Sequence, residues 1–547
     1  MLSTSTTAPT HRDALSPDDI RTSAQALVAE GRTDEAFDLF VAALGAVLDQ
    51  NRELALLIHK LRAERAGRRT EKVDPGQLQL LLEKLGDQEV PVEQKPDDVV
   101  AENDQDAKLD QEIEAHAPKR RERRAPSVDR RKVERCEHAV ELEPGERTCA
   151  RCGQPERRIG SDTTRVLEYV PGHFIEHVHR LSKYACGRCK LGIHTAPGPV
   201  KPFGATAAPS LLAHVCVSKF HDHTPLTRLH RIFARSGVTV PVSTLADWIA
   251  GVGDLIAPLV DDVLAAEVLG AYLVRADGSG LKVLDPDHSE NIQRGTMWCY
   301  VGDDHNVLFR YAETGRGDDG PWSFLAGRKG YLQADAANVF DRLYNGKVAE
   351  AIEVGCMAHA RRGFFKLKDT DCRVAYPLVL IRRLYKLEEL ADVKELAPEE
   401  RAAQRRERSV PELAKLHRWL VSVQKHEPPS SALAQAGAYF LNHWGALTRF
   451  VDDGRISLDN TLCERQIRDL ALGRRNYLFA GSHDAARRMA RIYSLMRTCA
   501  QHSVAPLPYL TDVIAKLAAG WPTERLPELL PDRWARVHAG DSSAATA

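Results

Sequence analysis

The chain has 547 residues, too many for one ordinary core, and roughly 100–200 residues per domain predicts several domains. Lys and Arg number 75 against 76 Asp and Glu, a net charge of −1, which excludes a protein that is basic throughout and leaves local basic patches open. No run of 18 apolar residues occurs, so no membrane-spanning helix is expected. Met1 to Asp18 lacks a basic-then-apolar secretory pattern, and the 11 cysteines are an odd set with two C-x-x-C pairs; a cytoplasmic location is expected.

Residues 1–84 read as a helical N-terminal region. Ala36, Phe37, Phe40, Val41, Leu44, Val47 and Leu48 recur at helical spacing, and Leu54, Leu57, Ile58 and Leu61 continue the stripe. A short coiled coil and a plain packed hairpin both fit. Residues 85–135 change character. Leu85 to Pro118 holds eleven acidic residues against two basic, and Lys119 to Arg135 nine basic against three acidic. So little apolar surface cannot offset chain entropy, which predicts a disordered charged linker.

Residues 136–200 carry the cysteine pairs. Residues 201–262 read as three short helices: one from Pro209, a second from Thr224-Pro225 ended by Gly237, and a third capped by Ser243 and carrying Leu245, Trp248 and Ile249. That pattern is helix-turn-helix-like, with plain helical packing as the alternative. Residues 263–484 then turn to strands at Ala271–Ala276, Leu281–Leu284, Met297–Val301 and Val307–Tyr311, split by Gly, Asp and Pro. A helix at 321–326, a strand at Tyr331–Ala334, a helix at 336–345 and a strand at Ile352–Cys356 follow. A helical insertion at about 361–455 is broken at Pro377, Pro398 and Pro428-Pro429. Helices at Asn460–Leu472 and 485–501 come next, the latter opening a C-terminal helical segment and tail at 485–547.

Cys149-x-x-Cys152 and Cys186-x-x-Cys189 are separated by 33 residues. Tetrahedral zinc takes four soft ligands, and each knuckle presents two thiolates, so a structural Zn²⁺ is expected there. Thr163–Pro171 and Phe174–Leu181 are the candidate strands of the spacer. Cys136 and His138 are alternative ligands. Cys356-x-x-His359 offers two ligands alone, and packing is the simpler reading.

Three acids stand out by placement. Asp277 ends a strand, Asp335 ends another, and Glu464 sits early on a helix. The order of strands, helices and acids is that of a ribonuclease-H-like sheet, which would bring the three carboxylates together. Such a triad holds two divalent ions about 3.5–4 Å apart for phosphoryl transfer, and Mg²⁺ (or Mn²⁺) suits the oxygen donors. Asp254, Asp285, Asp287 and Asp341 are rivals. Glu464 to Arg497 holds eight Arg against three acids, and Arg465, Arg468, Arg474, Arg475, Arg487, Arg488 and Arg491 are candidate phosphate contacts, with Asn476 and Tyr477 beside them. Arg361, Arg362 and Lys366 form a second basic stretch. A solvated helix face is the alternative for both.

These motifs resemble transposases of the insertion sequence 66 family. The resemblance covers most of the chain. It is carried by Gly67-Arg68-Arg69-Thr70-Glu71-Lys72, by Thr148–Gly153 with Leu167–Pro171 and Tyr184–Cys189, and by Ser218-Lys219-Phe220 with His223–Leu226 and Ser243–Trp248. The most specific blocks are Gly330–Asp335, Gly355–Arg362, Asp459–Arg465 and Gly473–Ser482, and the ending resembles it at Tyr509–Val513 and Leu526–Pro531. The resemblance implies a DDE transposase with Asp277, Asp335 and Glu464 as its triad. It would cut transposon ends at terminal inverted repeats and join the 3′-hydroxyls to target DNA. It also implies two small accessory proteins; joining two ends implies a homo-oligomer. A catalytically inactive zinc-containing DNA-binding protein and a ribonuclease-H-like nuclease without strand transfer are the rival readings. One departure stands out: the family commonly shows Asp-Glu-Thr at the first acid, where this chain has Asp277-Gly278-Ser279.

Overall fold

The computed structural model describes residues 25–29, 32–33, 106, 108–116, 172–185, 193–314 and 317–544. Its main elements in chain order are β1 (Lys183–Ala185), β2 (Ile193–Thr195), α1 (Pro209–Phe220), α2 (Leu226–Arg235), α3 (Val242–Leu255), β3 (Leu273–Leu284), β4 (Ile292–Gly302), β5 (Asn306–Ala312), β6 (Tyr331–Gln333) and β7 (Ile352–Val354). They continue with α4 (Met357–Leu367), α5 (Ala375–Val393), α6 (Val410–His426), α7 (Ala432–Asn442), α8 (Thr461–Tyr477), α9 (His483–Gln501), α10 (Pro506–Ala518) and α11 (Pro531–Ala544). The molecule is α+β. Among the described residues no helix is long and apolar enough to cross a membrane.

The chain divides into two compact units. One takes the described residues up to Ala115 with Gln333–Ala336 and Glu353–Asn460; the other takes the described residues from His116 to Leu332 with Ala337–Ile352 and Thr461 onward. Five strands form one mixed sheet in the order β5-β4-β3-β6-β7. β3 and β4 pair antiparallel from Val274↔Gly302 to Leu284↔Ile292, and β4 pairs antiparallel with β5. The β6–β7 hydrogen bonds advance together on both strands, Ile352 N–H to Gly330 O and Ala334 N–H to Val354 O, the pattern of a parallel pair.

β3 is one continuous strand, where two were expected with Gly278 and Gly280 as breaks. Pairing with β4 extends to Leu284, so ladder hydrogen bonds override the poor strand propensity of glycine. Asp277 therefore sits within a strand and does not end one. In the sheet unit, α9 packs on β5, with Ser494 Oγ accepting from Phe309 N–H at 2.7 Å and Thr498 Oγ1 from Val307 N–H at 3.1 Å. α9, which the sequence placed in a C-terminal segment, is thus part of the sheet's own packing. α1, α2 and α3 belong to the same unit, and α1 lies against α10. Gly237, φ +83°, follows α2 in the left-handed region that favours glycine. α3 starts at Val242 with Pro241 in the cap position, so Ser243 is inside the helix and does not cap it.

Other expectations shift in detail. The 336–345 helix shrinks to Asp341–Tyr344, with Phe340 before it buried edge-on against Trp298. Pro377 does not break α5. It lies in the first turn, where a missing N–H costs nothing. The zinc segment's described strand pair is β1 with β2, registered Lys183↔Thr195, while 174–181 is irregular. Cys149, Cys152, Cys186, Cys189, Cys136, His138, Thr163–Pro171 and the whole N-terminal stripe from Ala36 to Leu61 lie outside the described residues.

The helical unit is built from α4 to α7. Phe364 of α4 stacks on Phe440 of α7 and meets Trp419 of α6 edge-on. Residues 106 and 108–116, expected in a disordered linker, are helical. Leu109 is buried against Leu387 and Leu390, with Ile113 beside it. Asp106 accepts from Arg383 at 2.9 Å, Asp110 pairs with Lys386 at 2.9 Å, and Glu112 with Arg408 at 2.8 Å. An acidic helix with two apolar side chains finds a basic seat far along the chain, which residue-by-residue composition does not reveal.

Candidate active site

The sheet unit holds Asp277 and Glu464 on elements packed against each other. Asp277 is half-buried on β3, directly across from Cys299 of β4, and its Oδ1 accepts the Gly278 N–H at 2.7 Å. Cys463 of α8 donates its thiol to the Cys299 carbonyl at 3.5 Å. Burial pushes that thiol well up, and the Asp277 charge adds to the shift. Glu464, the next residue, lies in the first turn of α8 and is half-buried. α8 then follows β3. Arg474 donates to the Gly280 carbonyl, and past the helix Ala480 bridges to Val283 in parallel register. The helix carrying Glu464 is therefore fixed along the strand carrying Asp277.

Asp335 lies two residues past β6, half-buried, in the helical unit. The strand before it is tied down by Gln333. Its fully buried amide donates to the Gly355 carbonyl at 3.1 Å and the Ser457 carbonyl at 2.9 Å. Asp459, near the end of this unit's chain, accepts from Tyr385 Oη at 2.7 Å, and Asn460 N–H donates to Cys356 Sγ at 3.3 Å. Cys356 is buried at this contact.

Two of the four rival acids have partners of their own. Asp254 pairs with Arg488 at 2.8 Å and with Arg491 at 3.4 Å. Asp285 caps the turn at Asp287 N–H. Asp287 is exposed in that turn, and Asp341 in the first turn of a one-turn helix.

Gly278 has a physical reason. A Cβ there would meet the Trp298 ring at 2.7 Å, and Trp298 is buried across the ladder against Phe340. Any side chain at 278 requires the Trp298 ring to shift.

The arginines separate into two groups. Arg487 pairs with Asp484 and Glu313, Arg488 with Asp254, Arg491 with Asp254 and Asp261, and Arg497 with Asp469. These cations brace α9. Arg465, Arg468 and Arg475 are exposed on α8 and have no ion-pair partner among the described residues. In the helical unit Arg361 lies over the Phe365 ring, Arg362 is half-buried and Lys366 is exposed. Arg228, Arg231 and Arg235 were missed by the sequence reading. They are exposed along α2, opposite buried Leu229 and Phe233, and their i, i+3, i+7 spacing was the available signal. Lys219, also missed, lies over the rings of Tyr477 and Phe220.

Comparison with known proteins gives the class first. The Transposase IS66 family model matches residues 204–488, the zinc-finger binding domain of transposase IS66 matches 146–190, and the IS66 C-terminal element matches 494–531. These define a transposase-type enzyme with a zinc-finger segment that spans Cys149, Cys152, Cys186 and Cys189. The chain belongs to the IS66 transposase family. It is similar to three proteins of Sinorhizobium fredii (strain NBRC 101917 / NGR234). It is 33% identical to uncharacterized protein y4hP, over 89% of each chain. It is 31% identical to uncharacterized protein y4jD, over 74% of this chain and 81% of that protein. It is 34% identical to uncharacterized protein y4qI, over 73% and 75%.

Proposed function

We propose that this chain cuts DNA at the ends of a mobile element and joins the freed 3′-hydroxyls to target DNA, through a ribonuclease-H-like core whose triad is Asp277, Asp335 and Glu464. The observation that carries it is the fastening of α8 along β3, which holds Glu464 and Asp277 in one packed unit. The β5-β4-β3-β6-β7 order supports it, since β6, which leads to Asp335, neighbours β3.

Half-exposed carboxylates are hard oxygen donors, and the donor set fits Mg²⁺ or Mn²⁺. Bound at the triad, divalent ions would stabilise charge on the attacking and leaving oxygens of the phosphodiester. The protein's own part is positional. Arg465, Arg468 and Arg475 hold backbone phosphates along α8, with Arg474 fastening the helix to Gly280. Arg361, Arg362 and Lys366 add phosphate contacts from α4. Arg487 and Arg488 act through α9, which their ion pairs brace. Cys149, Cys152, Cys186 and Cys189 would hold a structural Zn²⁺, the second pair falling in sequence between β1 and β2. α1 to α3 serve as the end-binding helices. The enzyme works as a homo-oligomer in the cytoplasm, beside small accessory proteins of its element.

The test is a supercoiled plasmid carrying the element's terminal repeats, incubated with the protein and Mg²⁺ or Mn²⁺. Cleaved ends and joined products are expected. Binding without cleavage contradicts the enzymatic reading, and cleavage without joined products or end preference favours a plain nuclease.

A further inference from the structure

α8 ends in a tip that the proposal above leaves unused. Leu478 has φ +61°, a left-handed conformation that bulky residues avoid. It is 64% exposed, and Phe479 beside it is 41% exposed. Apolar side chains held in water on a strained backbone point to a binding role.

The tip is rigid. Leu478 N–H donates to Arg474 O at 3.0 Å, Phe479 N–H to Tyr477 O at 2.7 Å and Ala480 N–H to Lys282 O at 2.9 Å. Tyr477, just before it, shares a 2.7 Å hydrogen bond with the Tyr493 hydroxyl. Lys219 Nζ sits 4.8 Å from the centre of the Tyr477 ring, and burial pulls its ammonium down to about 8. α1, α8 and α9 therefore all fix the base of the tip.

The surroundings are cationic. Arg465, Arg468, Leu472 and Arg475 form one exposed stripe of α8, spaced three, four and three residues apart. The three arginines have no ion-pair partner among the described residues. A stripe of cations ending in a flat aromatic and a branched apolar side chain matches a nucleic-acid strand, with phosphates along the stripe and an unstacked base at the tip.

We infer that Leu478 and Phe479 form a wedge that receives an unpaired base of DNA lying along α8. This rests on the DNA-processing reading of the same helix and adds to it a preference for opened base pairs. The test needs neither metal nor terminal-repeat sequence. Affinity of the full chain is measured for two 30-bp duplexes, one fully paired and one with three mismatched pairs at an end, with 2-aminopurine in the mismatched part. Tighter binding of the mismatched duplex by about ten-fold is expected, as base–aromatic stacking supplies. A change of 2-aminopurine fluorescence should accompany it. Leu478→Ala with Phe479→Ala should remove the preference and the fluorescence change while paired-duplex affinity stays within about two-fold, and Phe479→Tyr should keep both. Equal binding of the two duplexes by the unaltered protein, or a preference that survives the double substitution, overturns the wedge alone. No binding to either duplex overturns the wedge together with the DNA-processing reading beneath it.

Discussion

Arg405 and Arg468 both stand in arginine-rich helical sequence, yet one is sealed and the other is open. Arg405 is 1% exposed. It makes paired contacts to Glu388 at 2.8 and 2.6 Å, donates to the Phe450 and Asp453 carbonyls, and stacks over the Phe450 ring. Nearby Arg383 is shared between Asp106 and Glu412. Arg468 shares an open helix face with Arg465 and Arg475 and meets no carboxylate among the described residues. The difference teaches that a basic run marks a DNA-binding face only where the fold supplies no acids to it. In the helical unit Arg383 and Arg405 hold the protein together; on α8 Arg465, Arg468 and Arg475 stay open to solvent.

That contrast breaks or sharpens under substitution. Arg405→Met removes one of the two arginines on half-buried Glu388, which keeps Arg401 at 3.1 Å, and leaves the Phe450 and Asp453 carbonyls without their donor; it should cost ~3 kcal/mol in urea unfolding, with DNA affinity of the folded fraction unchanged. A near-neutral Arg405→Met would erase the distinction between the two regions. Gly278→Glu should cost ~1–3 kcal/mol because its Cβ meets the Trp298 ring. A smaller residue at 298 in the same chain should recover part of that loss. The triple change Arg465→Gln, Arg468→Gln and Arg475→Gln should move stability by no more than ~0.5 kcal/mol. Its effect appears in the salt dependence of DNA binding, whose log–log slope should fall by about 0.9 for each lost phosphate contact. An unchanged slope would assign those arginines to a merely solvated face.

Much of this was legible in the sequence where periodicity and packing agree. α1, α2, α8 and α9 follow their apolar stripes, and the β3–β5 ladder follows its apolar runs. Glu464 falls in the first turn of its helix as expected. What was hidden depends on partners far along the chain. Gly278 and Gly280 looked like breaks because the pairing of β3 with β4 cannot be read from β3 alone. Arg488 looked free because its partner Asp254 lies 234 residues away. The helical residues 106 and 108–116 looked disordered because their basic seat lies on α5 and beside α6. Gly278 itself was visible only as a departure from a family pattern; Trp298 supplies the reason.

The central claim is a carboxylate triad that includes Asp335, and it is tested most directly by Asp335→Asn in the plasmid assay with Mg²⁺ or Mn²⁺. Loss of strand cleavage is predicted, with DNA affinity and melting temperature held near those of the unaltered protein, while Asp254→Asn and Asp285→Asn still cut. Normal cleavage by Asp335→Asn would contradict the account.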